Sequence, residues 1–408
     1  MENIVDNNDE NTNENTNENT NENTNENYEL KTYEKWDSFD LKDDLLRGIY
    51  AFGFENPSQI QKTAIMPIIE KHDVIAQAPS GTGKTGAFTI ASLQNIDVSQ
   101  NTTQAIILAP THELVKQIST VVTSIGGMIN GFRMKTLVGG TLVSDDIRDL
   151  RENIPHIIVG SIGRVNDMVR RNQIDMRSIK MFILDEADEM LSGGFKEQVY
   201  QMFQYLPVDT QTTIFSATMP PYMLDLTSRF MKNPVKITLE AEQLNLEGIE
   251  QFYMAMNNDD DKFNALKSLF DHLTIKQSII YVNSVQRVID LYNGMINDGY
   301  SVACIHSSMS REDRDKSFND FRSGTFRVLI SSDITSRGID IQQLSTVINF
   351  DVPRSVNTYL HRIGRSGRWG RKGMAINFIT RQDVGNLKHI EKHYKSDIKE
   401  LPSNFMMS

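Results

Sequence analysis

The eight residues Ala78-Pro79-Ser80-Gly81-Thr82-Gly83-Lys84-Thr85 constrain the fold more than any other stretch of this chain. Such a loop works only when a strand delivers it and a helix opens from it, because the helix's first N–H groups complete an anion cradle. The apolar run Val74-Ile75-Ala76 supplies the strand, so a βα unit is required here. Gly81 and Gly83 let backbone N–H groups approach phosphates, Lys84 reaches the β and γ oxygens, and the Thr85 hydroxyl suits Mg²⁺. A second apolar run, Met181–Leu184, ends in Asp185-Glu186-Ala187-Asp188. In a nucleotide site Asp185 is the acceptor for the metal, and Glu186 is the group that orients and deprotonates an attacking water. Asp188 is superfluous for metal binding, and hydrogen bonding to a partner segment suits it better.

The same alternation of buried runs and helical patterns fills the rest of the chain. Ala105–Ala109, His156–Val159 and Thr213–Phe215 read as further strands, with Glu113–Ile125 and Phe195–Tyr205 helical between them. The rhythm pauses at a polar stretch after Asn233-Pro234. It resumes with Ser278–Val282, Val302–Ile305, Val328–Ile330, Val347–Phe350 and Met374–Ile379. This is the pattern of parallel sheets covered by helices. A chain of 408 residues exceeds one core. The expected organisation is a tail over residues 1–28, an α/β domain over 29–238, a linker over 239–248 and a second α/β domain over 249–408.

Residues 11–27 repeat Asn-Thr-Asn-Glu and carry too little apolar surface to offset their ordering entropy, so the tail reads as disordered. It also distorts the net charge of −11, since without its eight acidic residues the body carries only −3. A local basic groove is therefore permitted. The single cysteine, Cys304, excludes a disulfide framework or a zinc site and fits a reducing compartment. No apolar run approaches bilayer length and no signal pattern opens the chain, so a cytoplasmic protein without membrane association is expected.

Two later segments invite chemistry. Ser216-Ala217-Thr218 follows a buried strand, and its hydroxyls can meet Asp188 or a residue across a cleft. His361-Arg362-Ile363-Gly364-Arg365-Ser366-Gly367-Arg368 places four basic side chains in eight residues. Arginines three apart on a helix share one side, where they can clamp a γ-phosphate and stabilise transferring charge.

In this order, Ala78–Thr85, Asp185–Asp188, Ser216–Thr218 and His361–Arg368 resemble motifs I, II, III and VI of the DEAD-box RNA helicases. The resemblance covers residues 34–402. The flanking text, such as Leu45–Tyr50, Leu191–Lys196 and Leu246–Ile249, is most similar to the translation initiation factor 4A branch. The resemblance implies two RecA-like domains in tandem. It implies that Gln61, in Gly53–Gln61, reads the adenine edge of ATP and that Trp36 stacks on the base. A side-chain amide pairs with N6 and N7 of adenine, which favours ATP. Gly338 and Asp340 of the segment Ser331–Asp340 are expected near the nucleotide, as are Ala78, Pro79, Ser80 and Thr82. Arg365 and Arg368 are expected on the γ-phosphate, with His361, Arg362, Ser216, Thr218 and Asp188 coupling the domains.

RNA contacts are implied for Pro110, Thr111, Gly139, Gly140, Ser161, Arg164, Asn283, Arg314 and Ser332. Departures from the family pattern are His112 for arginine, Ser161-Ile162 for Thr-Pro, Ser332 for threonine, Arg311 for glutamine and Pro79 for glutamine. The implied activity is ATP-dependent unwinding of RNA, with backbone rather than base contacts, acting in translation initiation as a monomer. The resemblance also implies a helical-repeat scaffold and a small RNA-binding cofactor as partners. One alternative is an ATP-dependent RNA clamp that nucleates an mRNA–protein assembly. Another is a DNA-directed motor of the same architecture.

Overall fold

The computed structural model describes residues 28–79, 81–192, 194–239, 249–272, 277–333, 344–366 and 373–402. Nearly all of the expected tail, the expected linker beyond Leu239, and the site candidates Ser80, Gly338, Asp340 and Arg368 lie outside the described residues. The described residues from Thr32 onward form one compact unit.

Within the compact unit lie two seven-stranded sheets. The first contains β1 (Val74–Gln77), β2 (Ala105–Ala109), β3 (Met134–Leu137), β4 (Ile157–Ser161), β5 (Met181–Leu184), β6 (Gln211–Ser216) and β7 (Val235–Thr238). Their order across the sheet is β3-β4-β2-β5-β6-β1-β7, with every pairing parallel. The second contains β8 (Ile249–Ala255), β9 (Ser278–Tyr281), β10 (Val302–Ile305), β11 (Val328–Ser331), β12 (Thr346–Asn349), β13 (Gly373–Ile379) and β14 (Lys399–Glu400). Its order is β10-β11-β9-β12-β13-β8-β14, again parallel throughout. We call the two halves lobe 1 and lobe 2.

Parallel strands need crossovers, and these put helices over both sheet faces. The strands accordingly read as near-continuous apolar runs, and β2 and β5 are buried at every residue. The period of two still decides which core a residue joins. In lobe 2, Ile280, Ile330 and Ile348 pack in one cluster, while their chain neighbours Ile279, Leu329 and Val347 pack in another.

Lobe 1 carries α1 (Asp43–Ala51), α2 (Gln59–Ile69), α3 (Lys84–Asn95), α4 (His112–Gly126), α5 (Val143–Glu152), α6 (Ile162–Arg170), α7 (Ala187–Ser192), α8 (Lys196–Tyr205) and α9 (Pro221–Phe230). Lobe 2 carries α10 (Asp259–His272), α11 (Val285–Asn297), α12 (Arg311–Arg322), α13 (Val356–Ile363) and α14 (Val384–Tyr394). Several start where a hydroxyl accepts from an otherwise orphaned backbone N–H. Thr111 accepts from Leu114, Ser284 from Arg287 and Ser310 from Asp313. None of the helices among the described residues is long and apolar enough to cross a membrane.

Helices α1 and α4 meet backbone to backbone at Gly48, where an added Cβ would lie 2.0 Å from the Ile125 carbonyl oxygen. Backbone cannot step aside as a side chain can. We therefore expect Gly48→Ala to destabilise the protein by about 2–3 kcal/mol or more, despite alanine's better helix propensity. Thermal unfolding checks this, and an unchanged midpoint would show that the two helices do not hold this approach.

Candidate functional site at the carboxyl edges of the sheets

The strand order sorts the candidate residues into two groups. In lobe 1, β5, β6 and β1 are neighbours, and their carboxyl ends carry Asp185-Glu186, Ser216-Ala217-Thr218 and the phosphate loop. On the far side of β5, strands β3, β4 and β2 end at Gly139-Gly140, Ser161 and Pro110-Thr111. One half of a single edge thus presents the nucleotide candidates, and the other half presents the RNA candidates. Ligands of open parallel sheets bind at this edge because strand-end loops and helix N-termini converge there.

The phosphate loop is bent by its glycines. Gly81 and Gly83 have φ of 83° and 100°, which L side chains rarely adopt. A Cβ on Gly83 would also lie 2.5 Å from the Ser58 hydroxyl. Thr82 donates its hydroxyl to the Pro79 carbonyl (2.8 Å), and the Ala78 N–H donates to Ser216 (3.0 Å). Thr85 lies in the first turn of α3, immediately after Lys84. Gln61 ties this loop to the segment before it. Its Oε1 accepts the Ser58 N–H (2.8 Å) and its Nε2 donates to the Gly83 carbonyl (3.1 Å). An amide has two acceptor sites and two donor hydrogens, so one of each remains to pair with an adenine edge.

Trp36, expected to stack on the base, is packed inside an aromatic cluster at the start of lobe 1. It is only 1% exposed, its indole N–H donates to the Phe54 carbonyl (3.0 Å), and its ring packs with Phe39 and Phe54. Burying an indole requires a partner for its N–H, and that partner fixes the ring inside the aromatic cluster. A purine therefore meets Trp36 only if this cluster yields.

Lys84, Asp185 and Glu186 are buried together. Lys84 donates to Glu186 (3.4 Å). Glu186 has φ of 49°, a left-handed conformation unusual for a glutamate, and its N–H is accepted by Asp185 Oδ1 (3.0 Å). That bend turns β5 sharply into α7. Burial, then the adjacent Glu186 charge, pushes the Asp185 carboxyl up to about 7, with Lys84 opposing. No cluster of three or more metal-ligating side chains occurs among the described residues. One buried carboxylate with one hydroxyl, from Thr85, fits Mg²⁺, which binds through one or two carboxylates together with phosphates and water.

Asp188 sits where the lobes meet. Its Oδ2 accepts the Thr218 hydroxyl (2.6 Å) and lies 3.7 Å from His361 Nε2 of lobe 2. Ser216 turns elsewhere, donating to the Thr218 carbonyl (2.7 Å). Asn357, one turn before His361 on α13, donates to Thr218 Oγ1 (3.5 Å). Sequence reasoning missed Asn357, because nothing local marks a residue whose partner lies in another lobe.

The basic segment does not form the single helix side expected of it. Helix α13 stops at Ile363, and Gly364 caps it. Arg362 is fully buried inside lobe 2, donating to Asp333, Asn349, Asn283 and the Asp351 carbonyl. Arg365 lies beyond the helix and donates from Nε to the His361 carbonyl (3.1 Å). The helix end separates the two arginines. The described contacts of Arg362 make it an organiser of lobe 2 rather than a bridge.

Three RNA candidates are likewise engaged within the protein. Asn283 accepts from Arg362 and donates to the Val352 carbonyl (2.9 Å). Arg164 donates to the Thr141 carbonyl (2.9 Å) and hydroxyl (2.8 Å) and pairs with the buried Asp146. Arg314 crosses to lobe 1 and pairs with Glu113 (3.2 Å). Ser332 follows β11, beside the ends of β10 and β9. His112, where the family has arginine, lies beside Gly139, 3.2 Å from where a Cβ would sit.

Fold and site define a two-lobed protein of RecA type, in which Asp188 and Thr218 of one lobe meet His361 and Asn357 of the other. Residues 58–226 match the DEAD/DEAH box helicase family, and residues 261–370 match the helicase conserved C-terminal domain. The chain is 48% identical over 374 residues to eukaryotic initiation factor 4A of Caenorhabditis elegans, spanning 92% of each. It is equally identical to the ATP-dependent RNA helicase eIF4A of Saccharomyces cerevisiae, spanning 92% of this chain and 94% of the relative. Among solved structures, S. cerevisiae Dbp5 bound to RNA and ADP BeF3 superposes with a TM-score of 0.82 at 35% identity, covering 91% of this chain and 96% of that one. A DEAD box protein from Methanococcus jannaschii, at 32% identity and 91% and 100% coverage, reaches only 0.55. The chain belongs to the DEAD-box RNA helicase family, in its initiation factor 4A branch.

The buried Asp185 gives a pH signature. Its folded pKa is raised above the unfolded value, so between about pH 4 and 7 the folded state holds a proton the unfolded state has lost. Stability then falls as pH rises through that window. In metal-free protein, Asp185→Asn is expected to be more stable than the parent at pH 8, by about 1–3 kcal/mol. The gap should shrink towards pH 5, and urea titrations at the two pH values measure it.

Proposed function

We propose that this protein is an ATP-dependent RNA helicase that acts in translation initiation by local strand separation. The observation that carries the reading is the meeting of Asp188, Thr218 and His361. A residue three positions from the proposed metal carboxylate thereby senses the other lobe. The agreement with RNA-bound Dbp5 across both lobes supports the same reading.

In this mechanism Gln61 selects adenine, the phosphate loop and Lys84 hold the phosphates, and Asp185 with Thr85 would hold Mg²⁺. When bound, the metal would neutralise phosphate charge. Glu186 orients and deprotonates the attacking water, and Lys84 pairs with it at 3.4 Å. Arg365 and Arg368 face the γ-phosphate on closure. Gly338 and Asp340 complete the nucleotide surroundings, as does Trp36 once its aromatic cluster admits the base. RNA lies along the ends of β3, β4, β2 and of β10, β11, β9, contacted at phosphates and ribose hydroxyls. Bending one strand there excludes its complement, and hydrolysis reopens the lobes. A cytoplasmic monomer working with a helical-repeat scaffold and a small RNA-binding cofactor completes the proposal.

Glu186→Gln is expected to bind ATP normally while RNA-stimulated turnover falls about 10²–10⁴-fold, with RNA retained. Turnover at the parent rate would remove Glu186 from the chemistry. RNA replaced by DNA of the same sequence should fail to stimulate the ATPase.

Arg164 supports RNA through the double-glycine turn, since its guanidinium is committed to Thr141 and Asp146. Arg164→Ala and Asp146→Asn should each raise the RNA concentration for half-maximal ATPase by about tenfold, with the salt dependence of binding unchanged. A direct phosphate contact predicts the opposite pattern, a salt slope lowered by about one and tighter binding by Asp146→Asn.

A further inference from the structure

Helices α4 and α12 follow β2 and β10, and their first turns meet across the lobes away from the nucleotide strands. Each is capped by a hydroxyl, Thr111 in one and Ser310 in the other. Two helix N-termini brought together oppose their positive dipole ends, an arrangement that needs negative charge between them. Glu113 provides it from α4 and pairs with Arg314 of α12. One turn further along α4, Lys116 pairs with Asp315, the next residue of α12. The charges run Glu then Lys on one helix and Arg then Asp on the other, so both pairs are satisfied in one lobe register. A shift of one lobe along the other breaks both pairs.

The two pairs differ in exposure. Glu113 and Arg314 are largely buried, at 14% and 17% of side-chain surface, whereas Lys116 and Asp315 are 39% and 36% exposed. The exposed pair is therefore the one that salt screens. Neither Lys116 nor Asp315 belongs to the nucleotide or RNA residues proposed above. Both follow residues that do, on helices that start from the RNA edge.

We infer that Lys116 and Asp315 form an inter-lobe latch, positioning residues that favour the closed arrangement and make closure sensitive to ionic strength. Its kinetic consequence rests on the helicase reading, while its structural consequence does not. A latch acts on the open–closed equilibrium before chemistry. Weakening it raises the half-saturating concentrations of both ATP and RNA and leaves the rate at saturation alone.

The test is charge reversal and exchange in the full chain: Lys116→Glu, Asp315→Lys and the double variant. Energy transfer between dyes on the two lobes reads closure without nucleotide or RNA, at low and high salt. Each single reversal is expected to reduce the closed fraction and to raise both half-saturating concentrations about three- to tenfold, with the saturated rate within about twofold of the parent. The double variant should regain closure and kinetics, and high salt should erase the difference between parent and single variants. Single reversals that leave the closed fraction unchanged would overturn the latch, as would defects that add in the double variant. Absence of RNA-stimulated turnover in the parent would count against the helicase reading alone, since the energy-transfer measurement still decides the latch.

Discussion

Two carboxylates and one ammonium share a buried site at the ends of β1 and β5, and much of the molecule answers to that crowding. Lys84 pairs with Glu186 and also acts on Asp185, but burial and the neighbouring Glu186 charge outweigh it and push the Asp185 carboxyl up. Burying unequal charge is costly unless a partner restores the balance. A divalent metal bound with nucleotide phosphates, as proposed above, would offset that excess of negative charge. The site is therefore poised for a metal–nucleotide complex instead of being complete in itself. The left-handed Glu186 backbone belongs to the same arrangement, since it turns the chain abruptly enough to keep both carboxylates at the strand end.

From that point the consequences spread through short contacts. Asp188 follows on the first turn of α7 and reaches Thr218 at the end of β6, next to His361 of the other lobe. Arg362, one residue on, faces inward and gathers Asn283, Asn349 and Asp333. Adjacent residues on one short helix thus look in opposite directions. His361 faces the neighbouring lobe, and Arg362 braces its own. One helix thus carries both a contact to the neighbouring lobe and a brace of its own. Arg287 and Lys262 extend the brace outward through Asp351, which also accepts the Asn283 N–H.

On the other half of the cleft, the two arginines expected to contact RNA are engaged with protein groups. Arg164 supports the turn after Gly140, and Arg314 crosses to Glu113. This division suits a protein that grips a backbone without reading bases. In the proposed mode, turns and helix N-termini would present N–H groups to phosphates while the cations behind them hold the turns in place.

The strands, the phosphate loop, the acidic tetrad and the family were legible from residue order, because each depends on local pattern: apolar runs, glycines at a bend, a carboxylate after a strand. The Thr218–Asp188 contact was also legible as one of two options, since both motifs end neighbouring strands. Spacing did not disclose where helix α13 stops, and so misjudged the shared side of Arg362 and Arg365. Nor did it reveal the aromatic burial of Trp36, which depends on Phe39 and Phe54 closing over the ring. Sequence alone determined two parallel α/β lobes and the chemical groups at their edges. Tertiary structure decided which of those groups face the cleft and which are held inward. The direction of a long cationic side chain is set by carboxylates and carbonyls that arrive from distant parts of the chain.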